Sequence, residues 1–175
     1  MPWPEPDLIA WERALWQGLR RAVVDPRHPW RFCTLATADA QGADARMVVL
    51  REVEDDALVF ATDARSTKLR QLAASPRAAL VFWHPRHRVQ LRIVGAASWR
   101  PWPEAPGSVA DYAASPRSGT PIPTHDAWRA GDEHHGVRLV VAAERVDVLA
   151  LRREGHARAV RTGGDGPPSW TWVTP

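Results

Sequence analysis

Lys68 is the only lysine among the 23 basic residues of this chain, and it closes the run Phe60-Ala61-Thr62-Asp63-Ala64-Arg65-Ser66-Thr67-Lys68. That run reads as a strand end, a turn and the start of a helix. It gathers an ammonium, the Arg65 guanidinium and the hydroxyls of Thr62, Ser66 and Thr67 beside the backbone N–H groups that open a helix. Such donors are what a phosphate ester requires. Upstream, Arg46-Met47-Val48-Val49-Leu50-Arg51 sets an arginine at each end of an apolar strand. Strand alternation puts Arg46, Val48 and Leu50 on one face and Met47, Val49 and Arg51 on the other. In Gln90-Leu91-Arg92, two long polar side chains interrupt an apolar strand, and the Gln90 amide can donate to and accept from a heterocycle's edge. A solvated strand face would also carry these residues. Taken together, the three segments point to a phosphorylated, planar, anionic ligand.

The elements that hold these residues follow from hydrophobic period. Leu8, Trp11, Leu15, Leu19 and Val23 recur every three or four positions, which predicts an amphipathic helix over 7–24 with Asp7 as N-cap and Pro26 and Pro29 beyond its end. Strand-like patterning then covers 31–38, 45–53 and 57–62, with Asp39-Ala40-Gln41-Gly42 and Asp55-Asp56 as turns. A short helix is expected over 66–74, stopped by Ser75-Pro76. Strands are expected over 78–83 and 89–99, then over 136–151, 156–161 and 169–173. Residues 100–134 are rich in Pro, Gly and Ser and read as irregular, apart from a helical turn or two over 109–114. The expectation is one domain over 1–175, a closed antiparallel β-barrel with flanking helices.

Composition narrows the function classes. A hydrophobic content of 45% with 25% charged residues is that of a globular protein with an adequate core. The net charge is only +3, and Asp and Glu are interspersed with Arg, which argues against nucleic acid as a partner. No apolar run reaches the roughly 20 residues needed to cross a bilayer, and the first residues lack a secretion signal. One cysteine, Cys33, excludes an internal disulfide. A cytoplasmic setting without membrane attachment is the expectation, with Cys33 a buried, inert thiol. His125, Glu133, His134 and His135 contain metal-ligand types, but adjacent histidines on an extended segment point to opposite sides, so a solvated loop and no metal are expected. His156 reads equally as a proton carrier or a packed strand histidine. Trp83 and Trp99 are expected to pack in or against the barrel, and Trp170 and Trp172 to share a face.

In order along the chain, Leu-Ala-Thr-x-Asp (35–39), Arg-x-Val-x-Leu-Arg (46–51), Phe-x-Thr-Asp-x-Arg-Ser-x-Lys (60–68), Gln90 and His-x-Arg (156–158) resemble the pyridoxamine 5′-phosphate oxidase family. The likeness is to its FMN-binding, oxidase-related branch and runs from about Leu8 to Pro175. It implies a split-barrel homodimer holding FMN at the subunit interface. It also implies cofactor contacts from the strand Arg46, Met47, Val48, Val49, Leu50 and Arg51, and phosphate contacts from Ala61, Thr62, Ser66, Thr67 and Lys68. Gln90 falls where the family meets the flavin ring, and Arg158 where an arginine arrives from the far end of the chain.

The departures bear on substrate. The family's oxidases carry a Tyr…Arg-Pro…Ser pattern; here Tyr112 is present, Ser115-Pro116 replaces Arg-Pro, and Arg117 is displaced by one residue. Glu154 stands where those oxidases have an arginine, and Val148 where they have a tryptophan. Tyr112, Arg117 and His156 therefore form only a weak substrate set. An acid at 154 would repel a substrate phosphate, which argues against oxidation of vitamin B6 phosphates. The resemblance implies an FMN-dependent oxidoreductase acting on an unassigned small molecule. The alternative is a non-catalytic barrel that stores or senses flavin or another cofactor.

Overall fold

The computed structural model describes residues 3–101, 129–130, 133–134, 136–163 and 168–175. The helical turns expected over 109–114 lie outside them, as do Tyr112 and Arg117. Helix α1 (Leu8–Val24) starts where Asp7 accepts the Ala10 N–H at 2.7 Å, the N-cap expected from the sequence. Its stripe of Trp11, Leu15, Leu19 and Ala22 is fully buried. A short 3-10 turn, Pro29–Arg31, carries Trp30 against this helix. Gly18 makes that contact possible, because a Cβ there would stand 2.6 Å from a Trp30 ring carbon. Trp3, Trp11 and Trp172 extend the cluster through edge contacts at 5.1–6.0 Å between ring centres. Each such pair is worth about 0.5–1.5 kcal/mol beyond the area it buries.

Three strands form a meander: β1 (Phe32–Asp39), β2 (Gly42–Glu54) and β3 (Ala57–Asp63). Helix α2 (Thr67–Ala74) follows, then β4 (Arg77–His84) and β5 (Val89–Pro101). Two short strands, β6 (Arg129–Ala130) and β7 (Glu133–His134), pair with each other. The chain continues as β8 (Gly136–Ala142), β9 (Arg145–Ala150), β10 (Ala157–Thr162) and β11 (Ser169–Val173). Strands β5-β4-β1-β2-β3-β8 lie side by side, and β8 pairs back onto β5 to close a six-stranded antiparallel barrel. Strands β9, β10 and β11 continue from the other part of β5.

Burial alternates along these strands as their period requires. Leu35, Leu50, Phe60, Leu80, Phe82, Leu91 and Ile93 face the core, which also takes Leu69 and Leu72 of α2. Cys33 is a buried free thiol whose pKa is raised by desolvation. No described helix is long and apolar enough to cross a membrane.

Two expectations need correction. The single strand over 136–151 is two, because it is interrupted at Ala143-Glu144, where the register against the same edge of β5 shifts by one residue. A hydrophobic pattern is blind to that break, since apolar residues continue on both sides of it. Second, Arg129–Ala130 and Glu133–His134 are strands inside the segment read as irregular. Trp83 and Trp99, expected in or against the barrel, are 44% and 37% exposed: Trp83 sits at an outward position of β4, and Trp99 lies near the end of β5 on the same side as its pairing partner Leu139. Trp170 and Trp172 do share a face, pairing with Arg161 and Ala159.

Beneath Trp30, three histidines meet. His84 stacks on His87 at 4.0 Å, and its ring lies 5.7 Å from that of His28. The Nδ1 atoms of His28 and His84 accept backbone N–H groups of Trp30 and His87, which fixes both as neutral rings protonated at Nε2. Burial, then the neighbouring His87 and His28 charges and Arg86, pulls His84 down to about 4. Burial also lowers His28, against the pull of Asp25 and with the push of Arg21, and His87 is lowered as well. Below the ordinary histidine pKa of about 6.5 the unfolded chain binds protons that the native cluster refuses. This contribution to stability is whole above about pH 6.5 and is lost as pH falls toward 4. His84→Asn, which keeps an acceptor for the turn, is expected to flatten the decline in urea midpoint over that window. Superimposable pH profiles for the two proteins would refute this.

Candidate functional site

Where β1 ends and β2 begins, the inward side chains are polar. Arg46 reaches from β2 across β1: its Nη1 donates to the Thr37 hydroxyl at 2.6 Å and to the Leu35 carbonyl at 3.3 Å. Its Nη2 donates to Gln71 Oε1 of α2 at 3.0 Å and pairs with Asp44. From α2, the Lys68 ammonium donates to Thr62 Oγ1 at 2.7 Å. Burial, and then the Arg46 charge, holds this ammonium below the ordinary lysine value, with Asp63 pulling the other way. Two cations thus stand near one another in a half-buried place.

Ser66 completes the group. It occupies the N-cap position of α2, yet its side chain caps nothing, and its Oγ is buried without a partner. A buried hydroxyl without a partner costs about 1–3 kcal/mol. The first N–H groups of α2 also lack acceptors within the helix. A dianion would satisfy the hydroxyl, relieve the repulsion between the cations and complement the helix dipole. The phosphate of FMN fits this set of donors.

A second group occupies the outer face of the sheet. Met47 and Val49 point there from β2, and Arg51 lies at a register shift between Leu50 and Glu52, a bulge of the kind that re-aims side chains near sites. Gln90 pairs with Leu149, and Leu149 with Arg158, so residues far apart in sequence fall in one row about 10 Å across. Beside that row sits Asp147, a buried carboxylate serving three guanidiniums. Arg158 grips it through Nε and Nη2 at 3.0 and 2.8 Å, Arg92 at 2.5 Å and Arg145 at 3.4 Å. Burial would raise Asp147, but the hydrogen bonds from Arg158 and Arg92 outweigh it and hold the carboxyl below its usual value.

The expected cofactor residues therefore divide. Arg46, Thr62, Ser66 and Lys68 gather at the barrel end; Met47, Val49, Arg51, Gln90 and Arg158 lie on the outer face. Val48 and Leu50 face the core, so only their backbone is open to a ligand. Ala61 is half-buried on β3, opposite in sense to Thr62, and Thr67 is exposed at the head of α2. Arg65 is turned onto Asp63, at 2.7 and 3.0 Å. His156 is exposed just ahead of β10. Among the described residues, no group of three His, Cys, Asp or Glu is arranged to hold a metal.

Sequence reasoning missed Gln71 and Asp147, and gave no role to Thr37 although it lies in the 35–39 motif. Thr37 and Gln71 hide within apolar strand and helix patterns, though Gln71 follows Lys68 at the three-residue spacing that shares a helix face. Asp147, an acid amid the valines of β9, was the visible signal. Arg152 is committed elsewhere, donating to Glu5 and to the Pro4 carbonyl of the N-terminal segment.

Residues 8–100 match the family described as pyridoxamine 5′-phosphate oxidase, FMN-binding domain. A pyridoxine/pyridoxamine 5′-phosphate oxidase of Anaeromyxobacter dehalogenans is 34% identical over 174 residues, covering 97% of this chain and 80% of that protein. Two crystal structures share the fold. One is a pyridoxamine 5′-phosphate oxidase-related, FMN-binding protein of Nostoc punctiforme, with TM-score 0.69, 23% identity and 98% of each chain covered. The other is PhzG of Burkholderia lata in complex with tetrahydrophenazine-1-carboxylic acid, with TM-score 0.71, 19% identity and coverage of 98% and 94%.

Asp147→Asn would leave its arginines without their shared anion. As those guanidiniums are partly exposed, the expected loss is about 1–2 kcal/mol in urea unfolding. An unchanged midpoint would contradict the role given to Asp147.

Proposed function

Because the chain belongs to the FMN-binding pyridoxamine 5′-phosphate oxidase family, we propose that it is an FMN-dependent oxidoreductase acting as a homodimer. The observation that carries the reading is the meeting of Arg46, Lys68 and the unpartnered Ser66 hydroxyl at one end of the barrel. These residues, with Thr62 and the first N–H groups of α2, would hold the cofactor phosphate. The strand Arg46–Arg51, Gln90 and Arg158 would hold and orient the ring. Bound FMN supplies two-electron chemistry, while the protein supplies binding, orientation and electrostatics. A guanidinium near the ring favours negative charge there, and Asp147 tempers that effect by sharing its charge with Arg158 and Arg92.

The homodimer rests on the outer face. Phe32, Met47 and Trp83, on the adjoining strands β1, β2 and β4, are 51%, 62% and 44% exposed. Aromatic residues and methionine are enriched in interfaces, and exposed apolar groups of this kind mark one. Gln90 and Arg158 share that face, so a second copy seated on it would enclose the ring side of the cofactor. A cytoplasmic setting is part of the proposal, in keeping with the sole cysteine being a buried thiol.

The substrate is proposed to be a small molecule other than a vitamin B6 phosphate. Glu154 is exposed beside the substrate motif, and Arg152 is tied to Glu5 rather than offered to a phosphate. His156, exposed nearby, is the candidate for proton transfer.

The purified protein is expected to show a flavin absorbance spectrum, or to gain one on addition of FMN. Colourless protein that takes up no FMN would overturn the reading. Flavin that binds but is not turned over with electron donors and oxygen would leave a storage or sensing module in its place. Lys68→Met should weaken FMN binding by about 10- to 100-fold, the worth of one charged hydrogen bond. In sedimentation, Met47→Glu combined with Trp83→Asp should convert a dimer to monomers, and an unaltered mass would count against the interface.

A further inference from the structure

Gln71 is only 5% exposed, on a helix whose other buried residues are Leu69 and Leu72. A leucine there would join the core, whereas an amide has to be satisfied. Its oxygen is satisfied by a closed triangle. A guanidinium only donates, so the Gln71 atom 3.0 Å from Arg46 Nη2 is the carbonyl oxygen. The Thr37 hydroxyl accepts from Arg46 Nη1 at 2.6 Å and so gives its own proton to the same Gln71 oxygen, at 2.5 Å. Thr37 is 3% exposed, so the Thr37–Gln71 side of the triangle is shielded from water, while the Arg46 side chain keeps 21% exposure. Every bond in it runs one way, from Arg46 toward Gln71.

The consequence is positional. Gln71 sits one helical turn from Lys68 on α2, while Arg46 belongs to β2. The triangle therefore fixes the spacing between two like charges that would otherwise separate. A carboxylate at position 71 would hold Arg46 more tightly, but it would cancel one of the charges meant for a dianion. An amide holds the guanidinium and leaves its charge in place. Asp44, the acid that does pair with Arg46, is half exposed and screened by water.

We infer that Gln71, seconded by Thr37, is a positioning residue that holds Arg46 against Lys68 while keeping both charges available to a phosphate, so that it governs selectivity for the phosphorylated form of the flavin. This inference rests on the flavin reading above and goes beyond it by assigning phosphate selectivity to a residue buried behind Arg46.

The test compares FMN with riboflavin, which lacks the phosphate, by quenching of flavin fluorescence in titrations of the cofactor-free full chain. Gln71→Glu keeps the acceptor and adds a charge. It is expected to lower FMN affinity by about tenfold or more while riboflavin affinity stays within about twofold. Gln71→Met removes the acceptor without adding charge and should give a smaller loss, again for FMN alone. Should Gln71→Glu show no cooperative melting, the FMN-to-riboflavin ratio of Gln71→Met decides. An unchanged ratio in the folded variants, or equal weakening of both flavins, would reduce Gln71 to packing and overturn the inference. Wild-type protein that binds neither flavin would fail earlier, removing the flavin reading itself and this inference with it.

Discussion

The architecture depends on one strand being able to serve two partners. Over its first half β5 pairs with β4 and β9, and over its second half it pairs with β8, which closes the barrel. The handover occurs at Gly95. A Cβ there would lie 1.6 Å from the Ala142 carbonyl oxygen, a collision with backbone that no rotamer could relieve. Only a residue without a side chain lets the backbone at the end of β8 approach so closely, at the step where the register along this edge shifts by one residue and β9 begins. Closure removes the free edges of a six-stranded sheet, and the outward branch β9-β10-β11 brings Arg158 beside the row that holds Gln90.

Closure also explains why the polar groups fall where they do. Inside the barrel the volume is filled by leucine, phenylalanine and isoleucine, so polar side chains that face inward collect toward its ends, one of which α2 covers. There Arg46, Thr37 and Gln71 satisfy one another, and Lys68 is held by Thr62. What remains unsatisfied is specific: a buried serine hydroxyl and the mutual repulsion of two cations. Both are deficits that a dianion removes, which is why this end fits the phosphate of the family's cofactor better than it fits water.

The outer face follows a different logic. Its charged residues are already organised around Asp147, whose two oxygens serve three guanidiniums, while its apolar residues are left open. A carboxylate buried among arginines orders them without removing all their charge. The apolar surroundings suit a second protein surface better than solvent. Rigid polar rows inside an apolar surround are what allow a planar ligand to be both oriented and kept from water.

Much of this was legible from residue order. The N-cap at Asp7, the strand alternation that turns Arg46 away from Met47, and the run from Thr62 to Lys68 are local facts, set by dihedral preference and side-chain period. So was the family resemblance, which matches the comparisons over residues 8–100. Other features were not legible, because they depend on pairings between distant strands. The division of 136–151 into two strands, the exposure of Trp83 and the triangle joining Thr37, Gln71 and Arg46 leave no periodic trace. Their meaning comes from what faces them. By itself the sequence determined which groups are present and on which face of each element they lie, since both follow from chain stereochemistry. Only the tertiary structure decided which of those faces meet, because barrel closure at Gly95 sets which strands, and so which charges, become neighbours.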